Sequence, residues 1–411
     1  MFVLMHVIAR FIPFASDFTA AQARLARAGF ASFVLIGAVQ ALYGPVLPSV
    51  RSSFGLTAAT VGWTVGAHYL GSVTGVLLSL LLASWLSARS RLVLGALLVG
   101  LGAVDFAVMH VWWWALAGVF CIGLGYGILV VLVNALFAAG FGDRSAALLI
   151  MVNAGFGFGA VVGPLLYGLL SSGNFRPAFF LAGVLSVLIL PLGWRIPEMS
   201  PRGRPASVSA RGRVPLAMAG FVALFLLYTA VESDTSGWMA TNLVFHGYSQ
   251  AAAAGLTGAF WTALTVGRLL SVPISLRLKP IQMIAGALTG VIALAVMANL
   301  HSLTPIAFVL IGLLLAPIFP VGFAWMDAAV PHARGAAALA LLGALAGGLI
   351  FPLLVGGIIG ASTPDILPLA LAAIAVLCLT VSLTLPRLIH LAQAGQPDVE
   401  KYSETRRRSA T

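Results

Sequence analysis

Charge is what this chain mostly does without. Of its 411 residues 8% are Asp, Glu, Lys or Arg, and only 11 of those are acidic. Soluble domains carry about 25% charged residues, so a water-facing surface cannot be assembled from this sequence. Cysteine is nearly absent too. Cys121 and Cys378 fall in apolar stretches far apart, which argues against a disulfide framework and predicts small core residues. There is no phosphate-binding P-loop, which excludes ATP-driven pumping by this chain. The glycines of "GFGFGAVVG" follow no strand, so they form no dinucleotide loop. Neither an enzyme nor a cofactor is expected.

What is present is hydrophobicity: 61% of residues are apolar and the mean hydropathy is +1.06. Runs of about 20 apolar residues, enough for a helix to cross the hydrocarbon core, recur near 27–49, 58–83, 91–109, 112–138, 145–171, 176–195, 214–240, 250–276, 281–300, 304–327, 335–360 and 365–390. They lack the alternation of a transmembrane barrel. The expected fold is an all-α membrane protein of twelve transmembrane helices in two pseudo-symmetric six-helix bundles. The division is a leader (1–26), an N-terminal bundle (27–195), a basic linker (196–213), a C-terminal bundle (214–390) and a tail (391–411). Leader and tail are expected in the cytoplasm, the leader as an interfacial or disordered segment without a signal-peptide cleavage site.

The net charge of +11 does not point to nucleic acid, because its distribution has another cause. With the N-terminus inside, nineteen of the 22 Lys and Arg fall on the cytoplasmic side; Arg51 and Arg176 face outward and Arg268 lies within a helix. This positive-inside asymmetry predicts a multi-pass protein of the plasma (inner) membrane with both termini cytoplasmic. Its expected partners are the lipid bilayer and a small-molecule substrate, and it is expected to act as a monomer.

The two halves repeat one another. At an offset of 192, Gly55 meets Gly247, Thr57 meets Ser249, Gly66 meets Gly258, and "GVLLS" meets "GRLLS". At 188, Gly155 meets Gly343, Gly159 meets Gly347, Pro164 meets Pro352, and Gly168 meets Gly356. Duplicated bundles with a substrate path between them are the architecture of many secondary transporters. The repeat also places Gln40 opposite Glu232, both looking toward a central cavity.

A carboxylate at bilayer depth costs roughly 2.5–3.5 kcal/mol, and such residues usually face a bundle interior or a water-filled cavity. "YTAVESDTSGW" carries two, Glu232 and Asp234. They lie about 200° apart around a helix and share a face only if the helix breaks; Thr235, Ser236 and Gly237 offer such a break. Both are expected to take part in cation coupling. Glu232 faces the cavity and carries a proton or holds a small cation, sodium or proton being the possible coupling ion. Asp234 is a second ligand or sits at the outer end near water. Arg268 is expected near the cytoplasmic end of its helix as a gate residue, paired with Asp327 or Asp143. Gln40, His68, Tyr69, Asn134, Asn153, Trp238, Asn242, Trp261 and Thr262 supply aromatic faces, amides and hydroxyls suited to a polyhydroxylated ligand. Trp112, Trp113 and Trp114 are expected to anchor at the membrane interface.

Several stretches carry a family resemblance. "FWTALTVGRLLSVPISLRLKP" (260–280), "LYTAVESDTSGW" (227–238), "YGPVLP" and "NAGFGFGAVVGPLL" resemble the major facilitator superfamily, in particular its branch of fucose permease and sodium-dependent glucose transporters. The resemblance implies coupled transport of a monosaccharide by alternating access, with Glu232 in the place of the branch's helix 7 glutamate. Two acidic positions depart from the pattern: Val130 stands four residues before Asn134, and Gly44 aligns with an aspartate of helix 1. The loop "ASWLSARSRL" retains only the basic residues of the usual signature. "GPLLYG" is also similar to the helix 5 motif of drug/proton antiporters, so proton-coupled export of amphipathic compounds is a second expectation. A transporter-like sensor is a third.

Overall fold

The computed structural model describes residues 18–170, 173–196, 216–330 and 336–394. All regular structure among them is helical. The helices are α1 (Ala20–Phe54), α2 (Ala58–Leu81), α3 (Ala88–Val108), α4 (Trp112–Gly140), α5 (Ser145–Leu170) and α6 (Arg176–Val187, continued by Leu190–Trp194) in the first half. In the second half they are α7 (Leu216–Phe245), α8 (Gln250–Ser275), α9 (Pro280–Met297), α10 (Thr304–Leu315, continued by Ile318–Ala329), α11 (Ala336–Ala361) and α12 (Leu367–Ala394). The interruptions of α6 and α10 fall beside Pro191 and Pro317, which lack the amide hydrogen a continuous helix needs.

Eleven of the twelve helices are long and apolar enough to cross a membrane. The other, α8, has 26 residues but carries Thr257, Thr262, Thr265, Ser271 and Arg268. Each of its threonine hydroxyls donates to the carbonyl four residues back, at 2.8–3.0 Å, so the polarity is satisfied within the helix.

Successive helices run in opposite directions. One face of the bundle therefore holds the start of α1 and the end of α12, and the far face holds the α1–α2, α3–α4, α5–α6, α7–α8, α9–α10 and α11–α12 turns. Glycines show how the halves meet. Gly44 of α1 abuts the Ser236 carbonyl of α7, Gly66 of α2 packs on Leu353 of α11, Gly258 of α8 packs on Leu165 of α5, and Gly360 of α11 lies against Ala59 of α2. All these contacts lie in the half of the bundle nearer the far face. The two bundles are sealed together there by small residues that allow backbones to approach closely.

The duplication read from sequence is visible in the geometry. Gly55 and Gly247 both adopt the left-handed conformation, with φ of 63° and 88°. Two residues on, Thr57 and Ser249 cap α2 and α8 by accepting from the amides of Thr60 and Ala252, each at 3.1 Å. Gly159 packs on the Val34 carbonyl and Gly347 on the Leu226 carbonyl, the same pair one repeat apart.

Three expectations need correction. First, α1 starts at Ala20 and runs to Phe54, so residues 20–26 are helix and not leader. A capping box, with Gln22 N–H donating to the Thr19 hydroxyl and Thr19 N–H to Gln22 Oε1, starts the helix early. Second, α7 does not break at Thr235–Gly237 but continues to Phe245. Its Ser233, Thr235 and Ser236 hydroxyls donate to carbonyls of the preceding turn, satisfying themselves inside a continuous helix. Third, Trp112 is no interface anchor, being packed against Phe54 at 5.5 Å, whereas Trp113 and Trp114 are exposed. The remainder of the leader (1–17), the linker (197–213) and the tail from 395, together with Arg334, lie outside the described residues.

Candidate functional site

Glu232 lies past the middle of α7 and is partly exposed, unlike its neighbours Val231 and Ser233, which are buried. Arg268 of α8 lies within electrostatic reach of the Glu232 carboxylate, and the Tyr228 hydroxyl lies near both groups without a hydrogen bond of good geometry to either. Tyr228 is one helical turn before Glu232, so it presents the same face. From the N-terminal bundle, Tyr69 of α2 and Tyr126 of α4 come within electrostatic reach of the carboxylate. Tyr69 also accepts a hydrogen bond at 3.1 Å from Gln40 of α1. Gln40 and Glu232, paired by the repeat, thus converge on one tyrosine.

The Arg268 assignment changes. Among the described residues it forms no ion pair with Asp327 or Asp143, and the carboxylate within its electrostatic reach is Glu232. Side chains on a helix tilt toward its N-terminus, and α8 begins at the far face, so Arg268 leans back toward the centre of the bundle. Asp327 is exposed on α10. Asp143 sits in the α4–α5 turn beside Gln22 and Phe141.

Asp234 differs from both sequence expectations. It is 0% exposed, so it is not near water, and on an unbroken helix it points away from Glu232 and cannot share one ion with it. Among the described residues, neither of its oxygens has a hydrogen-bond partner. A buried carboxylate without a partner opposes the conformation that buries it. Asp234→Asn is therefore expected to raise the melting temperature of the purified protein; a lower melting temperature would mean that the charge is compensated.

Trp238 lies in the far-face seal, and Asn242 ties the end of α7 to the α11–α12 loop. Trp238 is completely buried, its indole N–H donates to the Pro352 carbonyl at 3.3 Å, and its ring packs against Gly62 and Gly356. Asn242 donates to the Pro364 carbonyl at 2.8 Å. His68 is also fully buried, surrounded by the rings of Tyr43, Tyr126 and Tyr69 at 4.8, 5.1 and 5.7 Å. Thr262 is exposed and bonded to the Gly258 carbonyl. Asn153 donates to Asn134 across α4 and α5 at 3.3 Å, forming an ordered amide pair.

An aromatic series crosses between the bundles. Tyr126 meets Phe156 of α5, and Phe156 meets Trp261 of α8, each edge-to-face with centroids 6.4 Å apart. The Trp261 indole nitrogen is buried with no partner, as is the Gln40 carbonyl oxygen. Tyr126 and Phe156 were not legible as site residues in the sequence, and Tyr228 was legible only as part of the helix 7 pattern. The i, i+4 spacing of Tyr228 to Glu232 was the available signal, whereas Tyr126 and Phe156 are indistinguishable from packing aromatics until the helices are assembled. Together these groups supply ring faces, amides, hydroxyls and one carboxylate–guanidinium pair at the junction of the halves.

Comparison with known proteins agrees with this architecture. The Major Facilitator Superfamily model matches residues 29–338. The glucose/mannose transporter GlcP of Bacillus subtilis is 23% identical over 352 residues, covering 80% of this chain and 86% of that protein. Among solved structures, the nucleoside transporter NupG superposes with a TM-score of 0.75 at 13% identity, covering 88% of this chain and 99% of NupG. The E. coli fucose:proton symporter FucP superposes with a TM-score of 0.59 at 17% identity, covering 88% and 98%.

Proposed function

This chain belongs to the Major Facilitator Superfamily, and from that premise we propose that it moves a monosaccharide across the plasma membrane, coupled to a sodium or proton gradient. It is a transporter and not an enzyme. The observation that carries the reading is the position of Glu232. It is a carboxylate facing Arg268 within its own bundle and tyrosines of the opposite one, so motion of one bundle against the other alters its surroundings. A proton or a sodium ion competes with Arg268 for that carboxylate, and this competition links the ion to the conformation. Directional amide and hydroxyl groups next to ring faces support a sugar as the cargo, and similarity to GlcP supports it further. The Asn134–Asn153 and Gln40–Tyr69 pairs favour it over export of amphipathic compounds, which calls for an apolar cavity without ordered amides.

With both termini cytoplasmic, as the Lys/Arg distribution argues, the far face is external. The conformation described here is then closed to the outside, one of the two end states of alternating access by a single chain. Proteoliposomes test the reading. Labelled glucose or mannose should accumulate when an inward sodium or proton gradient is imposed and should equilibrate without one. Exchange of drugs or nucleosides with no sugar uptake would overturn it.

A further inference from the structure

Away from the central cluster, three loops of the C-terminal half meet on the far face. They bring together His246 after α7, His301 between α9 and α10, and Asp365 before α12. One ligand atom from each lies within 4.8 Å of the other two. His246 Nε2 is 2.7 Å from Asp365 Oδ1, and the two imidazoles face one another with centroids 4.2 Å apart and planes inclined at 42°. The side chains of His246 and Asp365 are 15% and 47% exposed, so the group is open to solutes from one side.

We propose that His246, His301 and Asp365 form a binding site for a borderline divalent cation of the zinc class, with water completing the coordination. Two imidazoles and one carboxylate are the donor set that such ions take when a position is left open, whereas calcium and magnesium favour sets made entirely of oxygen. A plain ion pair needs only His246 and Asp365. It gives no reason for a second imidazole to stack against the first, where a positive charge on both rings would be repulsive. A metal ion uses all three groups.

The geometry needs adjustment in both directions, because ligand-atom separations of up to 4.8 Å must close by up to about 1.5 Å. Ligand atoms about 2.0–2.1 Å from a tetrahedral ion stand about 3.3 Å apart, so the 2.7 Å contact between His246 and Asp365 must open by roughly 0.6 Å. The loops are already held in place. Asn242 donates to the Pro364 carbonyl at 2.8 Å, the amide of His246 donates to the Asn242 carbonyl at 3.1 Å, and the Thr304 hydroxyl closes the His301 loop on the Ala298 carbonyl at 2.7 Å. Ligands positioned in advance lower the ordering cost of binding. The ion would tie the α7–α8, α9–α10 and α11–α12 loops into one unit.

Calorimetric titration of the full chain with Zn²⁺ tests the proposal, using protein purified in detergent through a histidine-free tag. Binding of one ion per chain is expected. Co²⁺ should give the visible absorption of a tetrahedral site and be displaced by Zn²⁺. His301 is exposed, so His301→Ala leaves the fold intact; it should weaken Zn²⁺ binding by at least the roughly 10–100-fold that loss of a supporting partner costs a metal site. It should also abolish the rise in melting temperature caused by Zn²⁺. His110→Ala, at another exposed histidine, should bind as the unmodified chain does. Absence of saturable Zn²⁺ binding, unchanged affinity in His301→Ala, or equal competition by Mg²⁺ would each overturn the proposal.

Discussion

Proteoliposomes carrying Glu232→Gln are expected to lose gradient-driven sugar accumulation completely while still exchanging labelled for unlabelled sugar across the membrane. Glutamine keeps the size and most of the hydrogen bonding of glutamate. It cannot take up and release a proton, and it offers no charge to a sodium ion. Ion and sugar are thereby uncoupled, although the ring faces and amides contributed by Tyr69, Gln40 and Tyr126 remain. The substitution also leaves Arg268 without the carboxylate it faces. Both groups are partly exposed, so solvent screens their attraction and its loss costs about 1 kcal/mol or less. The double variant Glu232→Gln/Arg268→Gln should therefore recover stability lost in the single variant without recovering accumulation. Counterflow and melting temperature separate the two effects. Accumulation at the unmodified rate in Glu232→Gln would remove this residue from the coupling mechanism.

Gly44→Leu is expected to force open the far-face seal. Even a methyl group at Gly44 would overlap the Ser236 carbonyl of α7, and a backbone atom cannot move aside as the end of a flexible side chain can. Overpacking costs roughly 1–3 kcal/mol. Charged to the sealed conformation alone, that shifts the balance between states by about 5–150-fold. The shift can be read from a cysteine at Ala58, which is buried in the seal against α11, after Cys121 and Cys378 are replaced. Labelling of Ala58→Cys by a membrane-impermeant thiol reagent should rise steeply in the Gly44→Leu background, and net uptake should fall. Unchanged labelling together with normal uptake would mean that the seal tolerates a side chain at this position.

The helices and their pairing were largely legible because hydrophobic length and duplicated glycines are local signals. Gly55 and Gly247 announced a shared turn two residues before a hydroxyl cap, and both turns are present. The repeat pairs Gln40 with Glu232, while their shared neighbour Tyr69 is a property of the assembled helices. Orientation within a helix was harder to read. Trp238 and Asn242 have the chemistry of ligand-binding groups, but their donors are used by Pro352 and Pro364, carbonyls more than a hundred residues away in sequence. Asp234 could share a face with Glu232 only if the hydroxyl-rich segment after it unwound, and those hydroxyls instead bond back within α7. Arg268 was identified, but its partner depends on the tilt of a long side chain and on which helix lies alongside. The cluster of His246, His301 and Asp365 carries no sequence signature, because its members come from three separate loops.

The crossed contacts of the seal, Gly66 on Leu353 and Gly258 on Leu165, are a single contact used twice with the roles of the halves exchanged. In symmetric assemblies a self-complementary patch joins residue i to j and j to i, which is the rule of a two-fold dimer. A six-helix half that carries both sides of this junction has the surface to pair with a copy of itself. The halves are not identical across it, with a glutamine at position 40 on one side and a glutamate at position 232 on the other.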